Sequence, residues 1–291
     1  MSDTPRIAAV VLTWNSAAHV VPCVTSLAAS SAVDLSIVVV DNASTDATVP
    51  LVQATGVPVT MLQTGANLGY AGGNNVGIAH ALAGGAAFVF VVNDDTEVAP
   101  EMLSALVAAL EEDPGAAAAA PTIVHETPAN LIWWAGGTFR LARGLALHDG
   151  YGSPAPVSHG APRAVDSLCG CGLLIRRSAL EALGPFQADY FMYGEDVEWS
   201  LRARRAGWRL LHVPAARMIH KTTFPEGDPT PRKILLRDRN RRRMVRAHYR
   251  LGERLRFALW FYPTRLVHLM RYLTRGDLAR AGAIVQGATA R

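Results

Sequence analysis

Phe88-Val89-Phe90-Val91-Val92-Asn93-Asp94-Asp95-Thr96-Glu97 places five apolar residues directly before an acidic cluster. A continuous apolar run of this length suits a strand covered on both faces. Its polar end then lies at the edge of a sheet, where open α/β folds take their ligands. Adjacent carboxylates repel unless positive charge sits between them, so the cluster suits a hard divalent cation bridged to a phosphorylated ligand, or an arginine. A second reading makes Asp94, Asp95 and Thr96 a polar turn that caps a helix starting near Pro100.

Outward from this stretch, Ile7 to Thr13 (IAAVVLT), Leu35 to Val40 (LSIVVV, ending at Asp41) and Val57 to Leu62 are further runs of strand length. Ala17 to Ala29 and a segment capped by Ser44-Thr45-Asp46, reaching about Thr55, read as intervening helices. A glycine-rich turn after Asn67 leads into a helix to about Ala83. The series predicts β-α-β-α-β-α-β with short links, a nucleotide-binding half of an α/β fold. Glu101 to Glu112 is then predicted helical and Ala116 to Val124 a strand. Leu131 to Arg163 loses any period and carries Trp133-Trp134, Gly136-Gly137 and Tyr151-Gly152, which suits hairpins and a long loop over the site. Leu173 to Arg176 reads as a strand, followed by a short helix capped by Ser178 and closed by Gly184-Pro185. An amphipathic helix from Glu195 to Ala206, a strand from Arg209 to Val213 and a helical remainder beyond Pro231 complete the chain.

Half of the 291 residues are hydrophobic, enough for one large domain with an appendage or for two small domains. Cys23, Cys169 and Cys171 offer neither a disulfide framework nor a zinc pattern, which suits a reducing cytosol. Met1 to Arg6 lacks a basic-then-apolar leader pattern, and no uninterrupted apolar run reaches the ~18 residues of a spanning helix. The expected location is therefore cytoplasmic. Net charge is +4, but residues 1 to 220 hold 11 Lys/Arg against 19 Asp/Glu, whereas residues 221 to 291 hold 17 against 5. An acidic body suits metal and polar chemistry, and a basic tail suits an anionic surface.

Three more constellations could carry chemistry. Asp41-Asn42-Ala43-Ser44-Thr45-Asp46 ends the second strand beside Thr13-Trp14-Asn15, where a carboxylate can accept from a ribose hydroxyl or a pyrimidine imide. Helix capping accounts for Ser44 or Asp46 but comes too late for Asp41. Asn67-Leu68-Gly69-Tyr70-Ala71-Gly72-Gly73-Asn74-Asn75-Val76-Gly77 follows the third strand and has the wrong spacing for a dinucleotide fingerprint, and no Walker lysine is present. Gly73 is expected to let a ligand approach the backbone, with Asn74 or Asn75 supplying side-chain hydrogen bonds. Tyr193-Gly194-Glu195-Asp196-Val197-Glu198-Trp199 puts three carboxylates in a first helical turn, which the helix dipole favours without any function and which accounts for Glu198. Asp196 differs, because Tyr190-Phe191-Met192-Tyr193 leads into it as a semi-apolar wall, and a carboxylate at a helix N-terminus is expected to stay ionised as a general base must. His212, inside a strand, reads as structural. His220, expected just after that strand, is a candidate ligand.

Taken in order, the strand ending TWN, VVVDNASTD, NLGYAGGNNVGI, FVFVVNDDTE, YGEDVEWSLRARRAGW and the following MIH resemble family 2 nucleotide-sugar glycosyltransferases of GT-A fold, and among them bacterial rhamnosyltransferase-like enzymes. The resemblance spans about residues 6 to 224. It implies a single Rossmann-like mixed sheet flanked by helices, with a helical C-terminal extension. It also implies an inverting single displacement from a nucleotide-diphospho-sugar, with dTDP-L-rhamnose the expected donor. Thr13 and Asp41 match positions that hold base and ribose. Asn15, Asn42, Asn67, Gly73, Asn75, Asn93 and Asp94 are assigned to the same nucleotide-sugar. Asp95 matches the D-x-D ligand of Mg²⁺ or Mn²⁺, with His220 completing the metal shell. Glu195 and Asp196 match the catalytic pair, with Asp196 the base. Asn93 departs from the family, whose motif begins with Asp, and Trp14 stands where Tyr is common.

Residues 1–225 are thus expected to form the GT-A domain and 226–291 a basic helical extension. Arg232 to Arg256 contains 11 Lys/Arg and the acidic Asp238 and Glu253, with too few aromatics and no motif for nucleic acid. Leu255 to Pro263 and Leu266 to Leu273 mix Trp, Phe, Tyr and Leu with Arg, which suits an amphipathic helix on the inner face of the cell membrane, or a helical pair packing on the body or in a homodimer. The membrane reading suits an acceptor glycan carried on a polyprenyl diphosphate. A sugar-nucleotidyltransferase would need a Gly-rich basic loop after the first strand, and Thr13-Trp14-Asn15-Ser16 is not one. A non-catalytic binding protein of the same fold would have no need of Asp95, Asp196 and His220.

Overall fold

The computed structural model describes residues 5–156, 160–225 and 227–290. Met1 to Thr4 and residues 157–159 of the irregular segment lie outside them. Arg6–Thr13 (β1), Val20–Ala28 (α1), Asp34–Asp41 (β2), Thr48–Ala54 (α2), Thr60–Gln63 (β3), Gly69–Ala83 (α3) and Phe88–Asn93 (β4) form the expected alternating half. Its strands lie parallel in the order β3-β2-β1-β4, so the winding reverses at β1. Buried Val, Ile, Leu, Ala and Phe fill β1 and β4 on both faces, which is why these strands read as unbroken apolar runs.

Thr96–Val98 (β5), Met102–Glu112 (α4), Ala116–Thr127 (β6), Ile132–Trp134 (β7), Gly137–Arg140 (β8), Leu145–His148 (β9) and Arg163–Ala164 (β10) follow. Gly172–Arg176 (β11), Arg177–Leu183 (α5), Glu195–Arg205 (α6) and Arg209–Thr223 (β12) then complete a ten-stranded sheet, β10-β12-β6-β11-β4-β1-β2-β3, with β5 on β12 and β7 on β6. β11 runs antiparallel to both β4 and β6, so the sheet is mixed. The irregular segment contains the β8–β9 hairpin, as expected. Ser178 does not cap α5, whose N-cap is Arg176 with no side-chain bond. β12 is 15 residues long and runs past Val213 through a register shift, so His220 lies within it rather than beyond it.

The glycine motif is mostly helix, and its glycines serve packing. A Cβ on Gly73 would stand 2.4 Å from Leu12 Cδ1, and one on Gly77 would stand 2.3 Å from Val10 Cγ1. Spaced four apart, these residues form a smooth stripe that lets α3 lie against β1 and β2. At Gly73 a strand side chain makes such a close approach.

Pro231–His248 (α7), Leu251–Thr274 (α8) and Leu278–Thr289 (α9) form the basic helical end. Thr230 caps α7 by accepting from Lys233 N at 3.2 Å, with Pro231 at the first helical position, where its missing N–H costs nothing. Met244, Val245, Phe257 and Phe261 pack with Tyr190 and Leu201, so α7 and α8 lean on the segment that leads into α6.

Candidate functional site

Thr13, Asp41 and Asn93 stand side by side at the carboxyl ends of β1, β2 and β4, where Thr13 is level with Asp41 and Leu12 with Asn93. This edge flanks the reversal at β1, the usual ligand crevice of a doubly wound sheet. Thr13 Oγ1 is buried with no partner, and so is Asn93 Oδ1. Asp41 accepts Ser44 N at 3.2 and 3.4 Å.

The asparagines predicted to contact the nucleotide-sugar are largely occupied within the protein. Asn42 donates to Asn67 Oδ1 and the Gly69 carbonyl, and accepts from Leu68 N and Thr64 Oγ1. Asn67 also accepts from Gly69 N, so this pair fixes the entry to α3. Asn75 is turned away, bonding the Phe186 carbonyl at 2.7 Å and its amide at 3.1 Å. Asn15 accepts Thr45 N at 2.8 Å and braces the loop after β2. These bonds brace the loops that border the crevice, and their common cause is that an amide can close two backbone gaps at once.

The acidic cluster has a basic partner. Asp95 Oδ2 lies 3.2 Å from His220 Nε2, brought there because β5 pairs with β12 and sets Thr96 opposite His220. Burial would raise the Asp95 acid, but the hydrogen bond and charge of His220 outweigh it and hold it below the ordinary carboxylate range. Asp94 has no such partner. Burial and then the Asp95 charge push it up to about 7, against the Ser16 hydroxyl and Trp14 amide that donate to it.

Asp95 Oδ1 and His220 Nδ1 are buried and have no partner. Among the described residues no group of three or more His, Cys, Asp or Glu could hold a metal by itself. One carboxylate with one imidazole is nonetheless the kind of protein share that Mg²⁺ or Mn²⁺ takes when phosphate oxygens and water supply the rest. The residues fit such an ion, and Asp95 with His220 would hold it.

Asp196 opens α6. Its Oδ2 accepts Gly170 N at 3.0 Å and its Oδ1 accepts Val197 N at 2.7 Å. Burial nevertheless raises its pKa, so the helix N-terminus does not simply keep it ionised, as the sequence reading expected. Glu195 is 5% exposed, and burial with the Asp196 charge raises it well above the ordinary range. It lies inside the protein, not on the site's surface. Glu198 is buried and does more than favour the dipole: it pairs with Arg202 at 2.9 Å and His248 at 2.8 Å, joining α6 to α7.

Two groups of residues escaped the sequence reading. Trp133 packs edge-on against His220 at 4.5 Å and His148 at 4.8 Å, and the His148 charge acts on Asp196. Contacts thus run from Asp95 through His220 and Trp133 to His148, whose charge reaches Asp196. Trp133-Trp134 was visible as an aromatic pair, but a lone His148 gave no signal. Asn240, on α7, donates to the carbonyls of Tyr190, Met192 and Tyr193 at 2.9, 2.9 and 2.7 Å. It clamps a loop in which Phe191 and Tyr193 have φ of 63° and 72°, in the left-handed region that such residues rarely adopt. The loop's shape before Asp196 is therefore imposed from beyond residue 225.

The model of the family described as glycosyltransferase like family 2 matches residues 5–247. An N-acetylglucosaminyl-diphospho-decaprenol L-rhamnosyltransferase of Mycobacterium tuberculosis is 31% identical over 246 residues, covering 78% of this chain and 80% of its own. Among solved structures, the mannosyltransferase PcManGT of Pyrobaculum calidifontis, in complex with GDP-Man and Mn²⁺, superposes with a TM-score of 0.61 at 17% identity, over 98% of this chain and 74% of its own. GalNAc-T7 with UDP, GalNAc and Mn²⁺ gives 0.63 at 16% identity, over 86% of this chain and 49% of its own. These neighbours share the GT-A fold expected from the sequence.

Proposed function

The chain belongs to glycosyltransferase family 2, rhamnosyltransferase-like, and is a glycosyltransferase; from that premise we propose that it moves L-rhamnose from a nucleotide-diphospho-sugar, dTDP-L-rhamnose by expectation, to a hydroxyl of a polyprenyl-diphosphate-linked or cell-envelope glycan. The observation that carries this reading is the Asp95–His220 pair at 3.2 Å on the ligand edge of the sheet, with orphaned buried atoms on both side chains. A bound Mg²⁺ or Mn²⁺ there supplies charge neutralisation for the departing diphosphate. Thr13 and Asp41 line the place of base and ribose. Asp196, steadied by the Gly170 and Val197 amides, takes the acceptor's proton, and its raised pKa makes it a better base than a surface carboxylate. The lipid-linked acceptor is suggested by the printed activity of the mycobacterial relative.

We read residues 226–291 as a membrane-surface element. No helix among the described residues is long and apolar enough to cross a membrane. Leu251, Leu255, Leu259, Leu266, Met270 and Leu273 of α8 are exposed along one side, opposite the buried Phe257 and Phe261. Glu253 is the sole acid on α8, beside exposed Arg254, Arg256 and Arg271. Two copies joined through this side would bring arginines together with little acid to pair them, whereas an anionic lipid surface would attract them.

A screen of nucleotide-sugars with Mn²⁺ and with Mg²⁺, reading released nucleoside diphosphate in the presence of a polyprenyl-diphosphate glycan, tests the proposal. Turnover with dTDP-L-rhamnose is the expected result. Turnover with another donor only would sink the sugar assignment, and undiminished turnover in EDTA would sink the metal.

A further inference from the structure

Between α7, α8 and β9 lies a cavity of about 210 Å³ whose charged wall is Arg237, Asp238, Arg241, Arg265 and His268, with Trp260 beside them. Asp238 is its only carboxylate, and two guanidiniums, those of Arg241 and Arg265, share it. Arg265 Nη1 reaches both Asp238 oxygens, at 2.8 and 3.0 Å, while Arg241 Nη1 is 3.4 Å away. Arg237 makes no hydrogen bond or ion pair among the described residues, and Arg265 Nε is buried without a partner. The Arg241 and Arg265 side chains are only 12% and 15% exposed.

The Arg241 and Arg265 charges, held at one carboxylate and largely withdrawn from water, need compensation, and the exposed Arg237 adds a third charge at the rim. One carboxylate answers one guanidinium. The excess shows on its neighbours: burial, and then the Arg265 and Arg271 charges, hold His268 below its usual range. Aromatic faces take up part of the strain, since the Arg241 guanidinium lies 5.3 Å from the Trp260 ring centre and 5.1 Å from that of Phe261. They carry no net charge, however. Guanidinium forks match phosphate oxygens in pairs, and at ~30 Å³ for each water displaced the cavity has room for one or two phosphate groups.

We propose that this cavity binds a phosphate or diphosphate group, independently of the donor site at Asp95. The ligand's two sources, free anion and lipid headgroup, share this chemistry.

The full chain, held in EDTA to silence cation-dependent binding at Asp95, is titrated calorimetrically with inorganic phosphate and with pyrophosphate. Saturable binding is expected, weakened about tenfold or more by Arg237→Glu and less than about twofold by Arg140→Glu, an equal charge change at an exposed residue of β8 outside the cavity. Arg237→Lys should restore most of it. Arg237 has no partner to lose, and a thermal melt confirms that the variant folds. In a second arm, phosphatidylcholine vesicles carrying phosphatidic acid are offered to the same proteins. Binding that pyrophosphate displaces, and that Arg237→Glu weakens more than Arg140→Glu, assigns the cavity to a headgroup. Saturation by the free anion with vesicle binding unchanged assigns it to soluble phosphate. No saturable binding in either arm, or equal losses in the two Glu variants, overturns the proposal.

Discussion

Asp94-Asp95 and Glu195-Asp196 are both adjacent acidic pairs drawn out of water at one site, yet they settle their repulsion in different ways. At the first pair an imidazole is set against Asp95 by strand pairing, and the orphaned Oδ1 and Nδ1 remain beside it. At the second, both acids are raised by burial, Asp196 accepts the Gly170 and Val197 amides, and Glu195 is left inside the protein. A pair offered a positive partner suits a cation. A pair that tends to keep a proton suits proton transfer. Sequence proximity of two acids therefore does not define their work, and the difference lies in what the third group is.

Removing the working member of each pair should separate these roles. Asp196→Asn keeps the shape and deletes the base, so kcat should fall by about 10²–10⁴ while donor affinity measured with Mn²⁺ stays within about twofold. Asp95→Ala should cost about 10³ in kcat/KM and, unlike the first variant, should abolish the cation dependence of nucleoside diphosphate binding. If both variants lose nucleotide affinity equally, the division between the pairs is wrong.

Two histidines of β12 sharpen the same contrast, because His220 meets a carboxylate and His212 meets the Thr122 hydroxyl at 2.9 Å and the edge of the Trp134 ring. Burial, then the Arg163 charge, pushes His212 down from 6.5 to about 4. A depressed base binds its proton less readily folded than unfolded, so this stability is present above pH 6.5 and is lost as pH falls towards 4. The loss should be about 2–3 kcal/mol, read from urea melts across that window, and His212→Gln should flatten it. An equally steep decline in the variant would show that other groups carry the acid sensitivity.

The acceptor side depends on a clamp from the helical end. Asn240→Leu leaves three loop carbonyls without their donor beside two left-handed residues. A roughly tenfold fall in kcat with little change in donor KM is expected, since misplacement touches the acceptor and the base rather than the nucleotide. Asn240→Gln cannot make the same three bonds and should not rescue it.

The parallel half was legible because its code is local: buried strands read as apolar runs, and Asp41 and Asn93 mark their ends. The Asp95–His220 meeting was also within reach, as order and spacing pointed to it before pairing across 125 residues was known. The packing work of the glycine and asparagine motif at Gly73 and Asn75 was not legible, because a helix packed on a strand and a helix contacting a ligand need the same small and amide residues. Asn240 was illegible for a different reason. It is one amide in an arginine-rich helix, and its work is defined wholly by carbonyls some 50 residues earlier.

The smallest expected effect bears most closely on the contrast between the pairs. Glu195 is raised well above the ordinary carboxylate range by burial and by Asp196, which favours its protonated form. Glu195→Gln mimics that form and should keep kcat within about threefold. Asp196 works deprotonated, so activity is lost as pH falls through its raised pKa, and this acidic limb should lie above the usual carboxylate range in both proteins. A variant whose limb drops to the range of an exposed carboxylate would show that Glu195 is charged and sets its neighbour's proton affinity. In that outcome the second pair would also be managing a charge, and the distinction from Asp94-Asp95 would collapse.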